Sequence, residues 1–306
     1  SVVSDWFVER VISESEGVSY PAINSSDLVE LKVIVPPIEE QQLISKYLDK
    51  KTKQIDSLVE KTQKKIELLK EQRTSLINQC VTKGLDPNVE MKDSGVEWIG
   101  EIPNHWEVKK LKHIASVTLG KMLTPEDKGE MYQMKYLRSV NVQEDYLNLN
   151  DVNKMWFSKN EIQKLSILNG DILVNEGGQV GRPCFITKTL TDIGFQNSIN
   201  RVRTIKLESH YLYLLILSGF KFGYYDAIVD RVSIPHLTKE KLENSFVIHP
   251  PHSEQLSISK KIKFQISKFS IHVSKQEERL ILLKEYRQSL ISSVVTGKIR
   301  VTEDMI

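Results

Sequence analysis

Leu68-Leu-Lys-Glu-Gln-Arg-Thr-Ser-Leu-Ile77 returns, 214 residues later, as Leu282-Leu-Lys-Glu-Tyr-Arg-Gln-Ser-Leu-Ile291. The correspondence extends upstream. Val18-Ser-Tyr-Pro and Pro36-Pro37-Ile-Glu-Glu-Gln match Val232-Ser-Ile-Pro and Pro250-Pro251-His-Ser-Glu-Gln. Aligned without a gap, residues 18–85 and 232–299 share about 25 identities in about 68 positions, far beyond what composition produces. A repeat of this length that carries a long helix implies two equivalent binding modules in quasi-symmetric positions. Function is therefore sought in something two-fold, with DNA the leading candidate.

Each copy holds a ladder of alternating four- and three-residue steps. The first is Leu48, Thr52, Ile55, Val59, Thr62, Ile66, Leu69, Arg73, Leu76 and Cys80. The second is Ile262, Ile266, Phe269, Val273, Gln276, Leu280, Leu283, Arg287, Leu290 and Val294. Sustained 4-3 spacing is the coiled-coil pattern, and neither stretch contains Gly or Pro. Ile55, Ile66, Leu69, Arg73 and Leu76 of one copy, and Phe269, Leu280, Leu283, Arg287 and Leu290 of the other, form the expected seam and spacer. Thr62/Gln276 and Arg73/Arg287 interrupt its apolar run in both copies, which costs stability and fixes register. The alternative is a pair of helices buried in an ordinary bundle; the charged outer positions Lys50, Lys51, Lys53, Lys64 and Lys65 favour a projecting rod.

The remaining composition narrows the field. At 306 residues the chain is too long for one core. Two cysteines, Cys80 and Cys184, make no disulfide framework and point to a reducing cytoplasm. No apolar run reaches the roughly 20 residues a membrane span needs. The net charge of +2 argues mildly against a dedicated nucleic-acid binder, so any basic surface must be local. Ser1-Val-Val-Ser-Asp-Trp-Phe aligns with residues 215–221, inside the second copy's globular region, so residues 1–35 read as the C-terminal remnant of a first globular domain. Residues 36–85 are then the first long helix, 86–97 a polar linker, 98–249 a second globular domain of short strands with a helical stretch at 211–223, and 250–306 the second long helix and tail.

Gly177-Gly178-Gln-Val-Gly181-Arg-Pro183 lacks the Lys-Ser/Thr of a phosphate loop and reads as a glycine-dense hairpin. The seven histidines show no metal-ligand spacing, no nucleophile–base arrangement stands out, and no metal site is expected. Phe220, Phe222, Tyr224 and Tyr225 could stack bases, although the flank of a core is the simpler account; Trp106 reads as packing. Gln196-Asn-Ser-Ile-Asn200-Arg201-Val-Arg203 concentrates amide and guanidinium groups of the kind that pair with adenine and guanine edges. The candidate DNA contacts are Arg138, Ser139, Asn141, Asn175, Gln179, Arg182, Asn197, Asn200, Arg201 and Arg203. The plain alternative is that these are the solvent face of half-exposed strands.

Asp93-Ser-Gly-Val-Glu-Trp98-Ile-Gly-Glu-Ile-Pro103-Asn-His-Trp106-Glu-Val-Lys-Lys-Leu-Lys112 resembles the entry to a target-recognition domain of the specificity subunit of type I restriction–modification enzymes. Tyr136-Leu-Arg-Ser-Val-Asn-Val142, Gly170-Asp-Ile-Leu173, Ile234-Pro-His-Leu-Thr-Lys-Glu-Lys-Leu-Glu243 and both Pro-Pro-x-x-Glu-Gln segments fit that family in order. The resemblance implies an α+β fold, with globular target-recognition domains joined by two long antiparallel coiled-coil helices in a pseudo-two-fold arrangement. It implies a subunit without its own active site that reads a split double-stranded DNA target. It also implies partners: two methyltransferase (M) subunits carrying S-adenosylmethionine, and restriction (R) subunits using ATP and Mg. No cofactor is expected in this chain. The competing readings are a coiled-coil structural adaptor that binds protein only, and a free-standing nuclease or methyltransferase, which would turn over substrate alone.

Overall fold

The computed structural model of the chain describes residues 5–15, 22–229 and 235–306. Val18–Pro21 and Val232–Ile234, the first matched segments of the repeat, lie outside them. The chain divides into two compact units, one formed by Ser1–Glu71 with Lys268–Ile306 and the other by Gln72–Ser267.

Both units draw on the long helices. After α1 (Asp5–Ser13) and α2 (Ser25–Val29), α3 runs over Ile38–Lys83. Strands β1 (Met91–Asp93), β2 (Glu101–Pro103), β3 (Glu107–Lys110), β4 (Ala115–Leu119), β5 (Met131–Leu137) and β6 (Asn153–Ser158) come next. Then follow α4 (Lys159–Lys164), β7 (Ile172–Asn175), β8 (Pro183–Phe185), β9 (Ile193–Phe195), β10 (Ile199–Thr204), α5 (Ser209–Lys221), α6 (Tyr224–Ile228), α7 (Lys239–Asn244) and β11 (Phe246–His249). The last long helix, α8, spans His252–Val295. The repeat shows why the two long helices match. Each opens directly after Pro-Pro, which cannot continue a hydrogen-bonded turn backwards, with acidic residues in its first turn against the positive helix end. Each stops at a glycine held at φ +75°, Gly84 and Gly297, the left-handed geometry that suits glycine.

All ten positions of each ladder are buried or half-buried. In the first unit α3 and α8 run antiparallel: Asp56 pairs with Arg287 at 2.7 Å and Lys70 with Glu277 at 3.5 Å. Tyr47, Ile55, Leu290 and Val294 bury their side chains with Leu43, Leu48, Val59 and Leu283 packed around them. The polar seam residues find different solutions. Buried Thr62 donates to the Leu58 carbonyl of its own helix at 2.7 Å. Arg287 takes Asp56, whereas Arg73, in the second unit, takes Asp145 at 2.7 Å.

The second unit is an α+β module. A four-stranded antiparallel sheet has the order β4-β10-β7-β8, and a three-stranded sheet has the order β6-β5-β9 with β5 and β9 parallel. β11 pairs with β3, and β1 with β2. One core packs α5, buried from Tyr211 to Gly219, with Trp106, Leu111 and Ile114 and with Ile77 and Val81 of α3 and Ile258 and Ile262 of α8. A second core, with Phe157, Phe195, Leu137 and Leu173, joins the two sheets. Trp98 stacks on Tyr224, and Tyr225 is buried, so most of the aromatic cluster flanks the core; Phe222 is half exposed.

Three expectations need correction. The strand read at 136–142 ends at Leu137, because the Asn141 side chain takes the Arg138 amide (2.8 Å) and folds residues 139–141 into a 3-10 turn. The polar linker contains β1, held to β2. The second compact unit also extends beyond residues 98–249 into both long helices, because the module core includes their apolar faces.

Candidate nucleic-acid interface

Four loops of the second unit converge at one end of its sheets. The turn after β5 (residues 138–141), the glycine turn between β7 and β8 (176–182), the turn before β10 (196–198) and the segment 235–237 are bonded to one another. The Ser139 amide donates to Ser198 Oγ (3.2 Å), and the Ser139 carbonyl accepts from Asn175 Nδ2 (3.2 Å) and Arg182 Nη2 (3.3 Å). The Glu176 amide donates to the Ser198 carbonyl and the Leu237 amide to the Glu176 carbonyl. The glycine turn is strand–turn–strand, with β7 and β8 antiparallel. Its geometry depends on glycine: Gly181 has φ +76°, and a Cβ there would lie 2.5 Å from the Tyr225 ring.

The candidate contacts separate by environment. Asn200 and Arg201 lie on β10, the strand between β4 and β7, whose residues Ile199 to Val202 are all buried. Over those four residues both faces of the strand are covered, so Asn200 and Arg201 have no solvent face and the sequence expectation fails for them. Asn200 donates to the Leu237 carbonyl (3.2 Å). Arg201 donates to the carbonyls of Lys164 (3.0 Å) and Ser166 (2.5 Å) and to Thr118 Oγ1 (3.0 Å). Burial, with the charge of Arg203 adding, draws its guanidinium below the ordinary value. Arg203 grips buried Asp171 through two bonds of 2.7 and 2.8 Å. Asn141 and Asn175 are buried, and both donate to main-chain carbonyls. Asn141, Asn175, Asn200 and Arg201 build the module instead of facing outward, whereas Arg203 stays about a third exposed beside its Asp171 partner.

Arg138 and Arg182 are intermediate. Arg138 pairs with exposed Asp151 at 2.6 Å, and Arg182 bonds Gln179 Oε1 (2.9 Å) and Gln143 Oε1 (3.2 Å). Ser139, Gln179 and Asn197 stand at the rim of the converged loops, half-buried or exposed. Two groups escaped the sequence reading. Glu176 sits half-buried beside the glycine turn, where burial raises its carboxyl and the neighbouring His236 opposes the rise. The His236 ring lies 3.3 Å from where a Gly177 Cβ would be. A carboxylate next to a glycine pair was the available signal. Among the described residues no group of three or more His, Cys, Asp or Glu could hold a metal ion, and no helix is long and apolar enough to cross a membrane.

The Pro-Pro-x-x-Glu-Gln segment also acquires a physical role. In the second unit buried Gln255 donates to the Pro250 carbonyl (2.7 Å) and accepts the Glu208 amide (2.7 Å). Glu254 accepts Trp106 Nε1 (3.0 Å) and lies 2.7 Å from His105 Nε2. The start of α8 is thereby pinned to the module.

The family model for the type I restriction modification DNA specificity domain matches residues 6–68 and 103–280. The MjaVIII type I restriction enzyme specificity subunit of Methanocaldococcus jannaschii is 23% identical over 305 residues, covering 94% of this chain and 67% of its own length. Two solved structures share the fold. One is a chain from work on complex assembly and conformational transition of the type I R-M system (TM-score 0.64, 17% identity, 97% of this chain and 69% of that one). The other is the HsdS subunit from Thermoanaerobacter tengcongensis (TM-score 0.52, 14% identity, 97% and 68%). The chain thus spans about two thirds of the length of the proteins it resembles, and with the family model covering most of its residues, it belongs to the type I restriction modification DNA specificity family.

Proposed function

We propose that the chain is a DNA-reading subunit of a type I restriction–modification complex and contributes no catalytic group of its own. The observation that carries this reading is the convergence of four loops whose rim presents Ser139, Gln179 and Asn197, hydroxyl and amide groups able to pair with base edges. Family membership supports the same reading. On this reading the module reads one half of a split target, and the antiparallel helices act as the ruler between halves. Two methyltransferase subunits supply S-adenosylmethionine chemistry, and restriction subunits supply ATP- and Mg-dependent cleavage. Its place of work is the cytoplasm. Co-expression with its methyltransferase subunit followed by mapping of methylated sites tests this. A defined methylated motif is expected, lost or altered when Gln179 and Asn197 are both changed to Ala. Stable association with the methyltransferase but no methylation and no DNA affinity would replace this reading with the protein-only adaptor.

A further inference from the structure

Lys135 on β5 and Lys154 on β6 are register partners in an antiparallel pair, and both are exposed. Directly opposed side chains project from the same face with their Cβ atoms about 5 Å apart, and like charges in that position are destabilising. Nothing in the sheet relieves them. The strand sequences Met-Tyr-Gln-Met-Lys-Tyr-Leu, Asn-Lys-Met-Trp-Phe-Ser and Ile-Gly-Phe of β5, β6 and β9 contain no acidic residue. Neither lysine has an ion-pair partner among the described residues. Asp151, the nearest carboxylate upstream of β6, is held by Arg138. Their neighbours on the shared face are Gln133, Trp156 and Ile193.

Position adds a second argument. β5 leads directly into the turn at Ser139, so Lys135 stands roughly 13 Å of extended chain from the reading rim. A duplex presents backbone charge every few ångströms on either side of the bases being read. From this placement we infer that Lys135 and Lys154 form a paired phosphodiester site that seats the DNA backbone beside the reading loops. The inference rests on the DNA reading above and names a contact it left open. It also accounts for a near-neutral chain binding a polyanion: the positive charge is concentrated where two ammonium groups can each meet a backbone phosphate.

The test is a salt titration of binding to a random-sequence 30-base-pair duplex, using the full chain and its K135Q, K154Q and K135Q/K154Q forms. Each phosphate contact contributes about 0.9 to the slope of log affinity against log salt. Each single substitution is expected to lower the slope by about 0.9 and the affinity on the order of fivefold; the double substitution should lower the slope by about 1.8. Lys206→Gln, the same charge change beyond the far end of β10, should leave the slope unchanged. K135R/K154R should retain binding. Because both lysines are exposed and repel each other, the Gln variants should melt at or above the wild-type Tm. A wild-type chain without affinity for the duplex overturns the DNA reading and this site with it. Wild-type binding with an unchanged slope in K135Q/K154Q, or an equal drop in Lys206→Gln, overturns the phosphate site alone.

Discussion

Arg201 satisfies two carbonyls of the 164–166 segment and the Thr118 hydroxyl of β4, so its removal strands the Lys164 carbonyl and leaves the Ser166 carbonyl only its longer bond to Arg203. Arg201→Ala is expected to cost about 2–3 kcal/mol in urea unfolding. Arg138→Ala, which breaks bonds only to the largely exposed Asp151, its carboxylate and its carbonyl, should cost less than about 1 kcal/mol. Equal effects of the two would refute the assignment of Arg201 to the interior. His210 makes a pH prediction. Its ring lies 5.3 Å from Phe185 and 5.8 Å from Tyr213, and burial, against the pull of Glu208, lowers its pKa. The unfolded histidine therefore binds a proton at a pH where the folded one does not. Its contribution to stability is present above the unfolded value near 6.5 and is lost as pH falls through the lower folded value. Thermal melts from pH 7.5 to 5 should show a smaller decline in Tm for His210→Phe than for the wild type; parallel curves would mean that the ring is solvated when folded.

At the scale of elements, the same motif sits in two environments, and this separates pattern from context. Gln41 repeats the bond of Gln255, donating to the Pro36 carbonyl at 2.8 Å, but it is exposed where Gln255 is buried. Gln255→Ala should cost about 1–3 kcal/mol, through the stranded Pro250 carbonyl and Glu208 amide, whereas Gln41→Ala should stay within about 0.5 kcal/mol. Denaturant midpoints of the two variants decide this, and equal losses would mean that the first motif is buried by something comparable. Periodicity announced the helices well, because a 4-3 ladder and Pro/Gly stops are local signals: every ladder position is covered. The glycine turn was legible for the same reason, and Gly181→Ala should destabilise by more than about 2 kcal/mol, since the added methyl needs both a left-handed φ and the space of the Tyr225 ring. The proposed reading face was only partly legible. Whether Asn200 or Arg201 points to water depends on β10 being the inner strand of its sheet, a consequence of non-local pairing that a string of polar residues does not reveal.

Over the whole molecule, burial is distributed unevenly along each long helix. Among the described residues the first unit's core cluster is the small set Tyr47, Ile55, Leu290, Val294 and Val301, with Ile66 buried outside it. Large apolar side chains there stay exposed, with Ile34 at 49%, Val35 at 72% and Ile38 at 66%. In the second unit Ile77, Cys80 and Val81 of α3 join the same core as Trp106 and all of the inner face of α5, and the Tyr211 hydroxyl donates to the Val81 carbonyl at 3.0 Å. Local opening free energy follows buried apolar contact, so hydrogen exchange along α3 should slow from its start toward its end. Amides near Ile44–Leu48 should exchange well before those at Ile77–Val81, and α8 should show the reverse gradient, slowest around Ile258–Ile262. Peptide-resolved exchange of the full chain at neutral pH reads this directly. Uniform protection along both helices would show instead that the 4-3 seam itself supplies most of their stability, making the helix pair an independent folding unit to which the module is attached.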